Sequence, residues 1–332
     1  MTDPLLTVED LRVRFRIKTP LRALLDRDPD PFIDAVLNVG FTLEKGQTYG
    51  LVGESGSGKT TLARALIGLN PAHSGAIRFE GQELIGRKDR QFKAIRRNIA
   101  MMFQDPAGSL SPRLTVRSLI TEPFKIHGIE DVDLKAETAR LLEMVNLGPD
   151  IAGWYPHQLS GGQARRVGVA RALALNPRLI IADEPTAGLD VSVQGEVLNL
   201  MGRLKRDLGV SFLIITHNLA VVRHVSDRMA VMYLGRFLEQ GPTDEVFAHM
   251  RHPYTHALLS AHLNPDPDAE RTRVELSGDV PGLIRRPTGC EFHTRCPFMR
   301  ERCREEFPEA AEAGAGHTYL CHFPLASEGV ER

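Results

Sequence analysis

The run Gly53-Glu54-Ser55-Gly56-Ser57-Gly58-Lys59-Thr60-Thr61 carries the clearest chemistry in the chain. It fits the pattern G-x-x-x-x-G-K-[S/T], in which successive backbone N–H groups curl around a chain of phosphates. Glycines at 53, 56 and 58 permit positive φ and close backbone approach. Lys59 reaches β- and γ-phosphates as a point charge, the Thr60 hydroxyl is a ligand for Mg²⁺, and Ser55, Ser57 and Thr61 complete the cradle. An empty Gly/Ser-rich turn is the competing reading. The flanks weigh against it, because Gln47–Val52 is a short apolar run of strand type and Leu62–Leu69 has helical periodicity. A loop between a strand end and a helix N-terminus meets an anion with unpaired N–H groups and a favourable dipole.

Phosphoryl transfer requires positioning and charge stabilisation, which leaves three further roles to fill. Asp183 ends the apolar run Leu179–Asp183 and suits a second Mg²⁺ ligand. Glu184, one residue on, suits the general base for an attacking water. Gln104, ending the apolar run from Ile99, can touch Mg²⁺ and the water, and His217, after the buried run Ser211–Thr216, can reach a γ-phosphate. Taken singly, an Asp-Glu pair is more often a solvated loop charge and a lone His more often structural. Combination with the phosphate loop reverses those odds.

The elements that must position these groups follow in order. Leu5–Ile17 alternates apolar and polar residues as a half-buried strand does. Lys18 to Pro31, with three prolines and mixed charge, reads as an exposed insertion before a second strand, Ala35–Leu43. Ala76–Gly81 is a short strand, Arg90–Arg97 a basic helix and Ile99–Gln104 another strand. From Asp105 to about Tyr155 the pattern turns helical, clearest over Lys135–Leu147. An apolar helix over Val167–Leu175, a strand over Leu179–Glu184, a helix over Ser192–Leu208 and a strand over Ser211–Thr216 complete the unit. Helices alternating with apolar strands predict an α/β fold with a mainly parallel sheet and ligands at the strand C-termini.

The 332 residues exceed one average domain, with 42% hydrophobic and 25% charged content typical of a globular chain. Forty-one basic and 42 acidic side chains nearly cancel, so the global basic field of a dedicated nucleic-acid binder is missing and no nucleic-acid partner is expected. No run approaches 18 apolar residues and Met1-Thr-Asp-Pro-Leu5 lacks the plan of a signal peptide, which predicts a cytosolic chain that does not itself span a membrane. All four cysteines, Cys290, Cys296, Cys303 and Cys321, lie near the C-terminal end. In a reducing compartment such clustering suggests metal ligation before disulfides.

Leu159-Ser160-Gly161-Gly162-Gln163 decides between the many users of a phosphate loop. With it in place, the chain resembles the ATP-binding subunit of an ABC transporter, whose signature loop it matches. The resemblance implies a P-loop NTPase fold of the ABC type, with a mainly parallel core sheet, an antiparallel β region and a helical insert over about 105–165. It implies ATP and Mg²⁺ as cofactors. It maps Gln104 onto the Q-loop, Leu179–Asp183 onto Walker B, Glu184 onto the catalytic base, Gly188-Leu-Asp190 onto the D-loop and His217 onto the switch histidine. Phe15 takes the place of the aromatic that stacks on adenine, although a core Phe would look the same. Ser160 and the two glycines open a second anion-binding helix N-terminus, and the resemblance implies that each ATP is sandwiched between Lys59 of one subunit and Ser160 of its partner.

Phe103–Thr115, Ala187–Gln194, Met232–Gly241 and His252–Leu259 are similar to the oligopeptide/dipeptide and nickel importer subfamily. Ala187-Gly188 stands where Ser-Ala is usual and Asn218 where Asp is usual; neither change removes a catalytic group. The expected domains are residues 1–262, the nucleotide-binding domain, and 263–332, a small Cys-containing extension entered through the linker Pro265–Asp268. The cysteine spacing C-x5-C-x6-C-x17-C allows a [4Fe–4S] cluster, a tetrahedral Zn²⁺ with His293, His317 or His322 as alternative ligands, or free thiols packed as small hydrophobes. The resemblance favours the iron–sulfur cluster. It also implies an ATPase on the cytoplasmic face of the membrane, powering peptide uptake with a second ABC ATPase subunit, two transmembrane permease subunits and an extracytoplasmic binding protein. The alternatives are an importer for nickel or another small solute, a soluble ABC ATPase acting as a mechanical dimer, and a binding-only subunit. A single cassette without sustained heptads weighs against the second, and intact Glu184 and His217 against the third.

Overall fold

The computed structural model describes residues 3–17, 32–103, 108, 110–261 and 278–326. In chain order the elements are β1 (Leu6–Arg16), β2 (Phe32–Leu43), β3 (Thr48–Val52), α1 (Lys59–Leu66), β4 (Ser74–Phe79), β5 (Gln82–Glu83), α2 (Asp89–Arg96) and β6 (Ile99–Met102). They continue with α3 (Val116–His127), α4 (Leu134–Met144), α5 (Gly161–Leu173), β7 (Leu179–Asp183), α6 (Val191–Leu208), β8 (Ser211–Thr216), α7 (Leu219–Val225), β9 (Arg228–Tyr233) and β10 (Arg236–Pro242). Last come α8 (Thr243–Ala248), α9 (Pro253–Ala261), a helical turn over Arg302–Glu305, β11 (Ala311–Gly314) and β12 (His317–Tyr319). No helix among the described residues is long and apolar enough to cross a membrane.

The chain divides into two compact units. The first comprises Met1–Leu43, Tyr49–Ile85 and Thr216–Arg332, the second Glu44–Thr48 and Gly86–Ile215. In the first, an antiparallel sheet runs β2-β1-β4-β5. The alternation of β1 buries Leu6, Val8, Leu11 and Val13. Its phase slips between Val8 and Leu11, where Asp10 takes a left-handed φ of 45° and the register with β2 shifts. Such a bulge lets two buried pairs of different phase share one strand.

The other strands of this unit run β11-β12-β10-β9-β3, with β3 parallel to β9 through Gly50↔Met229 and Val52↔Val231. Alternation does not announce the β11–β12 hairpin, because only His317 of its residues is fully buried. A long-range pair anchors it. His317 Nε2 lies 2.8 Å from Glu239 Oε1 on β10, and both side chains are buried. Glu239 also accepts the backbone N–H of Arg251 at 2.6 Å and of His252 at 3.0 Å, so a buried carboxylate is solvated entirely by protein donors.

In the second unit β6, β7 and β8 are parallel, with Ile99↔Leu179 and Leu179↔Ser211 in register. Every residue of β7 and β8 is buried, as expected for strands covered on both faces. The expected helical insert contains α3, α4 and two 3-10 turns, Pro149–Gly153 and Pro156–Gln158. α5 begins six residues before the apolar pattern suggests, because Ser160 caps it. The expected insertion at 18–31, the linker at 265–268 and the proposed domain boundary at 262 fall outside the described residues.

Candidate nucleotide site

The first unit carries the phosphate loop. All five residues of β3 are buried, which fixes where the chain emerges. Gly58 has φ 106°, and a Cβ there would meet the Ala35 carbonyl oxygen at 2.3 Å. At Gly53 a Cβ would lie 2.1 Å from the Met232 carbonyl oxygen. These two glycines are demanded by backbone approaching backbone, whereas Ser55 and Gly56 at the tip are exposed. Gly235 N–H donates to Ser57 O at 2.8 Å, and Leu37 N–H donates to Gly235 O at 2.8 Å, bracing the loop against the β9–β10 turn and β2.

Lys59 opens α1 and is buried, with Nζ donating to Gly53 O at 2.7 Å and Glu54 O at 2.8 Å. Its charge is therefore held inside the loop curve. Thr60 and Thr61 follow on the first turn of α1, both partly exposed. In the same unit His217 is exposed at the head of α7, which Asn218 caps by accepting from Ala220 N–H at 2.9 Å. Asn218 thus performs the capping an Asp would. Phe15 stands 36% exposed near the end of β1, opposite Ile33; it is not a core residue.

The second unit carries the acidic pair. Asp183 ends β7 at 2% exposure and Glu184 follows at 8%. Glu184 adopts φ 50°, a left-handed backbone that costs an L-residue of this kind roughly 1–2 kcal/mol. Its N–H donates to Ile215 O at 2.7 Å, and its carbonyl accepts Arg165 Nη1 at 2.8 Å. Arg165 Nη2 also donates to Ala187 O at 2.6 Å. Sequence reading missed Arg165. Its signal is an arginine amid the apolar face of α5, buried to 3%, where the Glu184 and Ala187 carbonyls help to solvate it.

Ser160 and Gln163 form a reciprocal capping box. Ser160 Oγ accepts Gln163 N–H at 3.2 Å, and Gln163 Oε1 accepts Ser160 N–H at 2.9 Å. Ser160 and Gly161 are exposed, and a Cβ on Gly162 would meet Val193 at 2.9 Å. Asp190 caps α6, accepting Val193 N–H at 2.9 Å and the Ser192 hydroxyl at 2.6 Å. The Ser192 hydroxyl and that N–H hold its carboxyl below the usual range. Gln104 lies outside the described residues.

Residues 36–187 match the family model described as ABC transporter, and residues 238–303 match that described as oligopeptide/dipeptide transporter, C-terminal region. The oligopeptide transport ATP-binding protein AppF of Bacillus subtilis (strain 168) is 44% identical over 324 residues, covering 96% of this chain and 97% of that protein. The chain belongs to the ATP-binding proteins of ABC transporters. The oligopeptide transport ATP-binding protein OppF of Escherichia coli (strain K12) is 43% identical over 321 residues, covering 96% and 95%. Among solved structures, the ATP-binding cassette MJ0796, dimeric in a post-hydrolysis state with ADP and Pi, aligns with TM-score 0.63 at 26% identity, covering 72% of this chain and 98% of that one. As an ABC ATP-binding protein the chain is an ATPase.

The iron–sulfur expectation is overturned for this ABC protein. Among the described residues no group of three or more His, Cys, Asp or Glu side chains is arranged to hold a metal ion, which removes the zinc alternative as well. Cys290, Cys296, Cys303 and Cys321 instead line one small cavity with Phe292, and the free space is about 10 Å³, no more than a single water molecule needs. Burial pushes the Cys290, Cys296 and Cys321 thiols up to about 11. Cys290 and Cys303 belong to a core that includes Tyr233, Tyr254 and Phe292, so the cysteines pack as small hydrophobes.

Proposed function

We propose that this ATPase powers import of oligopeptides through partner membrane permeases and works as one half of an ATP-driven pair. The match of residues 238–303 to the oligopeptide/dipeptide transporter C-terminal region carries the peptide assignment, supported by relatives named for oligopeptide transport. ATP enters at Gly53–Thr61, with Lys59 leaving the Gly53 and Glu54 carbonyls for the phosphates. Thr60 and Asp183 are the Mg²⁺ ligands. Their donor set is oxygen only, as Mg²⁺ prefers, and Asp183 is a buried carboxylate at the end of an apolar strand. When bound, the ion neutralises charge on the phosphates.

Glu184 acts as base toward water, Gln104 and His217 attend the γ-phosphate, and Phe15 stacks on adenine. Ser160, Gly161, Gly162 and Gln163 receive the phosphates of ATP held by a second ATPase subunit, with Asp190 beside them. Exposure of the capped α5 N-terminus supports that role, because its first N–H groups have no intrahelical partner. The permeases dock on the second unit. A groove of about 340 Å³ there is lined by Arg96, Met101, Phe103, Ile126, His127 and Arg171. Phe103 and Ile126 are 43% and 53% exposed, an apolar seat with a basic rim that suits a short cytoplasmic helix of a permease. The chain therefore works at the cytoplasmic face of the membrane.

The test is reconstitution with the permeases and an extracytoplasmic binding protein in vesicles. ATP-dependent uptake of labelled peptide is expected. Uptake of nickel or another small solute without peptide would overturn the assignment.

A further inference from the structure

Glu54, the second residue of the phosphate loop, is gripped by the C-terminal segment from 241 residues away. Arg295 Nη1 donates to Glu54 Oε2 at 2.7 Å and Nη2 to Oε1 at 3.0 Å. The fork is well shielded, with side-chain exposures of 7% for Arg295 and 24% for Glu54. Bidentate pairs of this kind are both stronger and more directional than surface ion pairs. The Glu54 N–H is committed too, donating to the Tyr254 hydroxyl at 3.0 Å.

The gripping side is rigid. Arg295 sits in a helical turn, His293–Arg295, between Cys290 and Cys296, its N–H bonded to Phe292 O at 3.0 Å. Cys290 N–H donates to Cys303 O at 2.8 Å. Phe292 meets Tyr233 and Tyr254 at ring distances of 5.5 and 5.3 Å, and Tyr233 follows Met232, against whose carbonyl Gly53 is packed. Thiols and aromatic rings thus form a dry base from which one guanidinium reaches the loop.

We infer that Arg295 is a positioning residue for nucleotide binding: it holds Glu54, and through it the Gly53–Glu54 backbone that receives Lys59, in the shape that admits phosphates. The pairing has a second effect. It neutralises a carboxylate carried by the very loop that must accept an anionic ligand. The inference rests on Gly53–Thr61 being the nucleotide site.

The experiment measures binding of a fluorescent ATP analogue with Mg²⁺ to the full chain, and KM and kcat for ATP in the assembled transporter. Arg295→Ala is expected to raise Kd and KM about tenfold, the scale of a lost charge-assisted pair, with kcat changed less than about threefold. In a Glu54→Ala background the same substitution is expected to cost under about twofold, since the pair is already gone. Unchanged Kd in Arg295→Ala, or an equal loss in both backgrounds, overturns the inference. Should Arg295→Ala not fold, Arg295→Lys keeps the charge without the fork; an intermediate loss supports the role and none refutes it. Lys59→Ala separates the two levels. If it binds ATP normally, the nucleotide-site reading fails; if it loses binding while Arg295→Ala does not, only the Arg295 role fails.

Discussion

Arg165 on α5 donates to the carbonyl of Glu184 at 2.8 Å, tying the helix that Ser160 opens to the backbone of the proposed base. A second donation to Ala187 O spans the following turn. One buried guanidinium therefore closes the chain on both sides of Pro185-Thr186. Arg165→Ala is expected to lower stability by about 2–4 kcal/mol, since it leaves buried carbonyls unsatisfied and opens a void. Turnover should fall as well. Denaturant unfolding and ATPase assays check both.

Glu184→Gln is expected to retain ATP, to favour the paired state and to lower turnover by about 10²–10⁴-fold, the usual scale for loss of a general base. Near-wild-type turnover would remove Glu184 from that role.

The left-handed φ of 50° at Glu184 gives a separate stability test. Glu184→Gly and Glu184→Ala both lose the carboxylate, yet glycine tolerates this backbone and alanine does not. The Gly variant should be about 1 kcal/mol more stable than the Ala variant, read by thermal unfolding.

Ser160 has two separable duties. Ser160→Ala should cost about 1 kcal/mol through loss of the cap. Ser160→Asp restores the cap but places a carboxylate where phosphate is to arrive, so it should recover stability and still lose ATPase activity in the assembled transporter. If Ser160→Asp restores activity along with stability, Ser160 is only a cap.

Stability should decline on both flanks of neutrality. Burial lowers His252 to about 4. The unfolded imidazole binds its proton near 6.5, so this contribution is intact above that value and is lost as pH falls toward 4. The Cys290, Cys296 and Cys321 thiols are raised to about 11. Unfolded thiols ionise near 8.5, so their contribution is full below that pH and disappears as pH climbs to 11. Unfolding measured across pH, with Cys321→Ala flattening the alkaline limb, checks the signs. A chelator should not shift the midpoint at neutral pH, because no group of His, Cys, Asp or Glu among the described residues is arranged to hold a metal ion.

The phosphate loop, the strands around it and the motif helices were legible because each is a local pattern. Glycine spacing, apolar runs and a capping serine act within a few residues. The hairpin over Ala311–Tyr319 was not, since its stability comes from His317 meeting Glu239 across the chain. The cysteine spacing named possible ligands but could not say how much room lay between them. Packing closed that space to about 10 Å³, and the same burial pushes the Cys290, Cys296 and Cys321 thiols up.

By itself, then, the sequence determined the chemistry on offer: a phosphate cradle, an acidic pair after an apolar strand and a capped glycine turn. Tertiary structure alone decided which distant groups hold those pieces in place. Arg165 reaches Glu184 and Arg295 reaches Glu54 because burial leaves a guanidinium only the acceptors that folding brings to it, and no spacing along the chain encodes that meeting.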